Sequence, residues 1–360
     1  MRVTDVDRRT LLGAAGGLGA LAMTSGALAA TGKGSKMPVI DVHTHMFTKG
    51  WVDSVRANPT ADVKILQGTR HEEIDYRGAR IVRLAPEMTD FDMRIKAMDE
   101  AGVDVALISL TAPNVYFGDA DYSARLARQV NDDFAEAESR YGGRIRWMAS
   151  LPWQFPEQAV AELKRAQDKG AIGVCTLTNL SGVPLTDPRF RSIWKAIEAS
   201  GLPVFIHPTT PYVDGMGLTQ YGLANTIGFT SETSLCFARM ILDGFLDDFP
   251  NIKLIACHGG GAFPYLIGRF DQMWAKTTSI RKIQTPPSSY LRRIYFDSIV
   301  YDQPTLDFLV KVAGPDRVLY GSDYPFLIAD MKGILARVDT LPASQRDAIR
   351  GGNAKRLFNI

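Results

Sequence analysis

Five histidines stand in a chain of 360 residues, and two of them fall two apart in "MPVIDVHTHMF", residues 37–47. Residues two apart on a strand face the same way, so His43 and His45 at a strand end can offer two neutral nitrogens to one divalent ion. Taken alone the pair reads better as two hydrogen-bonding residues entering a loop. Three distant positions change that: His207 ends "LPVFIH", His258 ends "IKLIACH" and Asp323 ends "RVLYGSD". Three imidazoles and a carboxylate can hold a transition metal and leave a position open for water, which defines His43, His45, His207 and Asp323 as the candidate ligands. His258 then stays free beside the ion, suited to moving a proton because its pKa is tunable through neutrality. Asp41, with the inward parity of the pair, is either an orienting carboxylate or a buried hydrogen-bonded one. His71, in the polar "TRHEEIDYRG", reads as a solvated loop residue.

These residues need a scaffold that brings strand ends to one rim. From about residue 38 short β-rich runs alternate with longer amphipathic segments, the pattern of parallel βα units. The runs are 38–42, 103–110, 144–151, 171–177, 202–207, 252–258, 293–298 and 317–323, and the segments between them carry apolar residues at three- and four-residue intervals. Eight such pairs predict an α/β fold of the distorted (β/α)8 TIM-barrel type, which places chemistry at the carboxyl ends of its strands. An open doubly wound sheet is the alternative, but no Gly-rich phosphate loop follows the first strand. Residues 46–91 and 208–229 are too long for simple βα loops and are expected to shape the site.

Composition sets the surroundings. With 41 basic and 39 acidic residues the net charge is +2, and no basic stripe with interleaved aromatics points to nucleic acid. Cys175, Cys236 and Cys257 lack CxxC spacing and are expected to be buried free thiols. Residues 1–30 have Arg8-Arg9, a Gly/Ala-rich apolar middle and Ala27-Leu28-Ala29 before Ala30, the layout of an export signal resembling the twin-arginine type. The expectation is a periplasmic protein whose single domain spans 31–360 and does not stay in the membrane.

The motifs "DVHTH", "VFIHP", "IACHGGGAFPYLIGRF" and "VLYGSDYPF", in this order, resemble the amidohydrolase superfamily, in particular its branch around 2-amino-3-carboxymuconate-6-semialdehyde decarboxylase. The similarity runs from about residue 38 to "GNAKRLF" and includes "SLPWQFPEQAV". It implies one zinc, with manganese the alternative, on His43, His45, His207 and Asp323, and a catalytic His258. Two arginines of the branch hold a substrate carboxylate; Arg83 and Arg269 match them, and Arg269 would reach the neighbouring subunit's site in a homodimer. Tyr221 stands where the decarboxylase has a substrate-packing Trp. The fourth strand continues as "GVCTLTN" without the Lys of binuclear members, which favours one metal.

The expected activity is decarboxylation of a carboxylated aromatic or unsaturated small molecule, with Arg83 and Arg269 anchoring a carboxylate while His258 and Asp323 shuttle protons. The same site could instead hydrolyse a lactone, ester or amide. A third reading is an exported barrel that binds a metal or ligand without turnover.

Overall fold

The structure, a computed structural model, describes residues 37–209, 218 and 220–360. The export-signal expectation for residues 1–30 lies outside the described residues. Among the described residues no helix is long and apolar enough to cross a membrane.

All eight expected strands form, each within four residues of its sequence boundaries: β1 Ile40–His45, β2 Val105–Ser109, β3 Ile145–Ser150, β4 Gly173–Leu177, β5 Val204–His207, β6 Leu254–Ala256, β7 Ile294–Asp297 and β8 Val318–Leu319. They pair in that order, all parallel, as one sheet. The sheet returns on itself where the chain after β8 meets β1: Val42 N–H donates to Tyr320 O at 3.0 Å and His45 N–H to Tyr324 O at 2.8 Å. This is the α/β TIM-barrel architecture that the alternation of patterns predicts.

Two apolar layers explain the near-continuous hydrophobic strands. Inside the barrel, Val42, Leu107, Met148, Cys175, Phe205, Ile255 and Leu319 pack together with Leu357 and Phe358 of the C-terminal helix Asn353–Phe358. Outside, a larger cluster joins the strands to the surrounding helices. The three cysteines are buried and free. Helix boundaries follow local chemistry: Phe91–Ala101 starts where the Asp90 side chain accepts from the Asp92 and Met93 N–H groups and stops at Gly102 in the left-handed region.

The long insertion 46–91 is structured. It holds a helix, Lys49–Ala57, and a three-stranded antiparallel sheet of Val63–Gln67, Glu72–Tyr76 and Ala79–Arg83. Its last strand delivers Arg83 to the rim.

Simple alternation along β1 also fails at one point. The pairing register of β1 with β2 shifts between Asp41 and Thr44. Val42 therefore packs in the interior layer while the next residue, His43, also faces inward, its ring 4.7 Å from Phe205. Asp41 is turned away from that line and accepts from Ser322 Oγ at 2.5 Å and Ser322 N–H at 3.1 Å, tying β1 to the chain after β8.

Candidate metal centre

The four candidate ligands meet at the carboxyl rim. His43, His45, His207 and Asp323 are all buried, and one ligand atom from each lies within 4.8 Å of the others. Every imidazole has its Nδ1 engaged on the outer side: His43 with Asp297 Oδ2 at 2.6 Å, His45 with Ser109 Oγ at 3.1 Å and His207 with Pro208 O at 2.8 Å. With Nδ1 occupied, each ring is left to present Nε2 inward.

Three of the inward atoms, His43 Nε2, His45 Nε2 and Asp323 Oδ1, are buried without a hydrogen-bond partner. Buried polar atoms without partners are costly, and three aimed at one point are what a ligand set for a cation looks like. The Asp323 oxygen lies 3.3 Å from His43 Nε2 and 3.5 Å from His45 Nε2. The donor set of nitrogen and carboxylate oxygen fits a divalent transition metal.

Electrostatics agree. Burial holds the His45 imidazole down at about 4 and pushes His207 well below its usual range, so both are neutral, as ligands must be. His43 behaves oppositely: burial would lower it, but the Asp297 and Asp323 carboxylates outweigh that and raise it to about 9. Burial opposes ionisation of Asp323, yet its contacts to His258 and His43 hold its carboxyl well below the ordinary value.

His258 sits beside the cluster, its Nε2 3.6 Å from Asp323 Oδ2. Both residues adopt positive φ, 53° for His258 and 61° for Asp323, a sparsely populated region that recurs at functional sites. The glycines after His258 are needed for the turn: a Cβ on Gly259 would come 2.5 Å from Val300 Cγ1 and one on Gly261 2.2 Å from Thr230 O. Gly321 serves differently, by close approach, since a Cβ there would stand 2.8 Å from that of His43.

A cavity of about 560 Å³ opens over these groups. Its lining includes His207, His258 and Asp323, an apolar wall of Phe229, Phe326, Leu327 and Ile328, and the polar Arg83, Glu87 and Asn225. Arg83 thus lies in the same cavity as the cluster, on an exposed strand end. Arg269 does not: it is exposed on the helix Phe263–Lys276 and lines a separate groove with Met273 and Trp274. Tyr221 is 91% exposed, and the same segment sends Asn225 and Phe229 into the cavity instead.

Sequence reasoning missed two buried residues. Asp297 ends β7 and bonds to His43; the strand-final Asp of "RIYFDS" is its only trace. Arg94, fully buried, donates to Thr44 Oγ1 and His45 O and lies 4.4 Å from the Tyr324 ring centre. Its periodic helix conceals it among solvent-facing charges.

Known proteins share this arrangement of strands. The amidohydrolase family profile matches residues 40–360. The 2-amino-3-carboxymuconate-6-semialdehyde decarboxylase of Dictyostelium discoideum is 29% identical over 340 residues, 89% of this chain and 91% of its own. The solved 5-carboxyvanillate decarboxylase of Sphingomonas paucimobilis superposes with a TM-score of 0.78 at 29% identity, covering 90% of this chain and 99% of that one. The dihydroxybenzoic acid decarboxylase of Polaromonas, solved with bound manganese and the inhibitor 2-nitroresorcinol, gives a TM-score of 0.73 at 26% identity over 89% of this chain and 97% of its own. The chain belongs to the amidohydrolase family, on the branch that holds these decarboxylases.

Proposed function

We propose that the protein is a mononuclear metal-dependent decarboxylase of a carboxylated aromatic or unsaturated small molecule. The observation that carries this reading is the convergence of unpartnered His43 Nε2, His45 Nε2 and Asp323 Oδ1 beside His258, in one cavity with Arg83. The relatives named above act on carboxylated substrates, and one was solved with manganese; zinc and manganese both suit the donor set.

A divalent ion bound by His43, His45, His207 and Asp323 would supply Lewis acidity toward substrate oxygen. The rest falls to the chain. Arg83 offers a guanidinium fork for a carboxylate, and the Phe229, Phe326 and Leu327 wall gives a flat ring an apolar bed. His258 Nε2 delivers a proton to the carbon that loses carbon dioxide, and Asp323 Oδ2, 3.6 Å away, is placed to relay it.

Arg269 completes the site from a second copy in this proposal. Its place outside its own cavity supports that role, as do the exposed Leu235, Leu242, Leu266 and Met273 on helices Phe229–Leu242 and Phe263–Lys276, which suit a homodimer contact. Mixing Arg269→Ala with His258→Ala protein should restore turnover that neither has alone, because one site of the mixed dimer is intact. We also propose export through residues 1–30, tested by whether Arg8→Lys with Arg9→Lys retains the precursor in the cytoplasm.

The deciding experiment loads purified protein with zinc or manganese and screens carboxylated aromatics beside lactones and esters. Carbon dioxide release is the expected outcome. Ring opening with uptake of water and no carbon dioxide would make the protein a hydrolase instead.

A further inference from the structure

Asp297 is fully buried at the end of β7, and each of its oxygens accepts two hydrogen bonds. Oδ2 takes the His43 Nδ1–H at 2.6 Å and the His258 backbone N–H at 2.8 Å. Oδ1 takes the Gly259 N–H at 2.9 Å and the Ile299 N–H at 3.0 Å. A single carboxylate therefore touches a candidate metal ligand and the backbone of the candidate proton carrier. Its oxygens face only donors, so nothing but an acceptor-only side chain of this size satisfies the set.

We infer that Asp297 is a positioning residue that fixes His43 in the Nδ1–H tautomer and the His258 turn in place, setting metal affinity and proton-carrier placement through one group. The first half follows from hydrogen-bond direction. While Asp297 accepts from Nδ1, the Nε2 lone pair of His43 must face the other three ligands, and the carboxylate strengthens that nitrogen as a donor to a cation. The second half follows from strain. His258 is held at a φ of 53°, ahead of three glycines with positive φ, and β6 ends at Ala256, so no ladder bond restrains the turn. The two N–H groups bound by Asp297 are what anchor its start to the barrel wall.

An amide tests this with little change of shape. In Asp297→Asn one oxygen becomes an NH2, which must face either His43 or the N–H groups of Gly259 and Ile299. Facing His43, it demands an acceptor at Nδ1 and puts the proton on Nε2, where the metal should bind. Facing the backbone, it opposes donor to donor and loosens the turn. This inference rests on the metal reading of the site and is independent of the substrate.

The experiment measures zinc affinity of Asp297→Asn by competition with a chelator, beside amide hydrogen exchange of the 257–262 segment in the zinc-loaded protein. A 10- to 100-fold loss of zinc affinity together with faster exchange is expected. Faster exchange with zinc affinity within threefold of wild type would reduce Asp297 to a turn anchor and overturn the proposal. So would lost affinity with unchanged exchange, which would leave it a partner of His43 alone. Should the variant not fold, nitrogen NMR of histidine-labelled, zinc-loaded wild type decides: a protonated Nδ1 on His43 supports the inference, and a bare one overturns it. Wild-type protein that takes up no zinc at all would instead refute the metal reading itself.

Discussion

The two sides of the metal rim are built differently. On one side, where β1 meets the chain after β8, Asp41, His43, Thr44, His45, Arg94, Ser322 and Asp323 are all buried, and side chains cross-link the backbone there: Asp41 accepts from Ser322 Oγ and N–H, and Arg94 donates to Thr44 Oγ1 and His45 O. On the other side, the exit of β5, His207 bonds outward to its own neighbour Pro208, and the segment beyond exposes Tyr221 and Ile227. Rigid, cross-linked ligands set geometry, whereas exposed loop positions tolerate change. The seam holds three of the four candidate ligands, while the β5 exit supplies His207 and puts Asn225 and Phe229 on the cavity wall.

The largest effect should come from breaking the seam at its ligand. Asp323→Ala removes both the carboxylate among the three imidazoles and the neighbour of His258. We expect turnover to fall by more than about 1000-fold, with loss of stoichiometric metal on purification. His258→Ala is the sharper partner experiment: turnover should fall by about 100- to 10,000-fold with metal content unchanged. Metal content that survives Asp323→Ala would move the ligand set off the seam.

This division was partly legible in the sequence. Strand-final His207, His258 and Asp323 stood out because a polar residue closing an apolar β run has a fixed address on a barrel rim. Asp297 closes a run in the same way, but its meaning depends on His43, 254 positions away and across the barrel. The sheet between residues 63 and 83 was missed because "VKILQ", "EEIDY" and "ARIVR" are short and half polar. A signal was present in Arg77-Gly78, where both residues take positive φ at the tight turn joining the second and third of these strands. The break in alternation at Asp41 had no signature, since it arises from how β1 is paired on both sides.

The next effect down tests the seam from behind. Arg94 is wholly buried on the helix Phe91–Ala101, and burial lowers its guanidinium to about 10 despite the favourable field of Asp41. Replacing it by Met strands the His45 carbonyl and the Thr44 hydroxyl of one partner and removes the Arg94 charge from beside Asp41. We expect a loss of about 3 kcal/mol in urea unfolding, with weaker metal binding in the folded fraction. If stability fell while metal affinity held, the seam would support the barrel without tuning the site.

Smaller still is the coupling of metal uptake to protons. Without metal, His43 carries a proton up to about 9, above its usual 6.5, because the Asp297 and Asp323 carboxylates outweigh burial. A metal takes the Nε2 lone pair, so at pH 7 binding must expel that proton. The neighbouring ligands His45 and His207 are neutral there already and release none. Affinity should rise about tenfold per pH unit from pH 7 and level off near pH 9, with close to one proton released per ion in calorimetry across buffers of different ionisation enthalpy. An affinity flat over that window would mean the seam does not hold His43 charged.

The smallest effect should lie on the other side of the comparison, and its smallness is what makes it informative. Tyr221 is nine-tenths exposed, with a positive φ. Tyr221→Ala should therefore shift stability by no more than about 0.5 kcal/mol and leave metal affinity unchanged. Phe229 is different, since it lines the cavity with its ring 6.4 Å from that of His207. Phe229→Ala should raise KM several-fold while leaving kcat within about threefold, the pattern of lost uniform binding. If Tyr221→Ala raised KM as much as Phe229→Ala, the exposed ring would have to fold over the substrate. The β5 exit would then be a closing element rather than a passive wall.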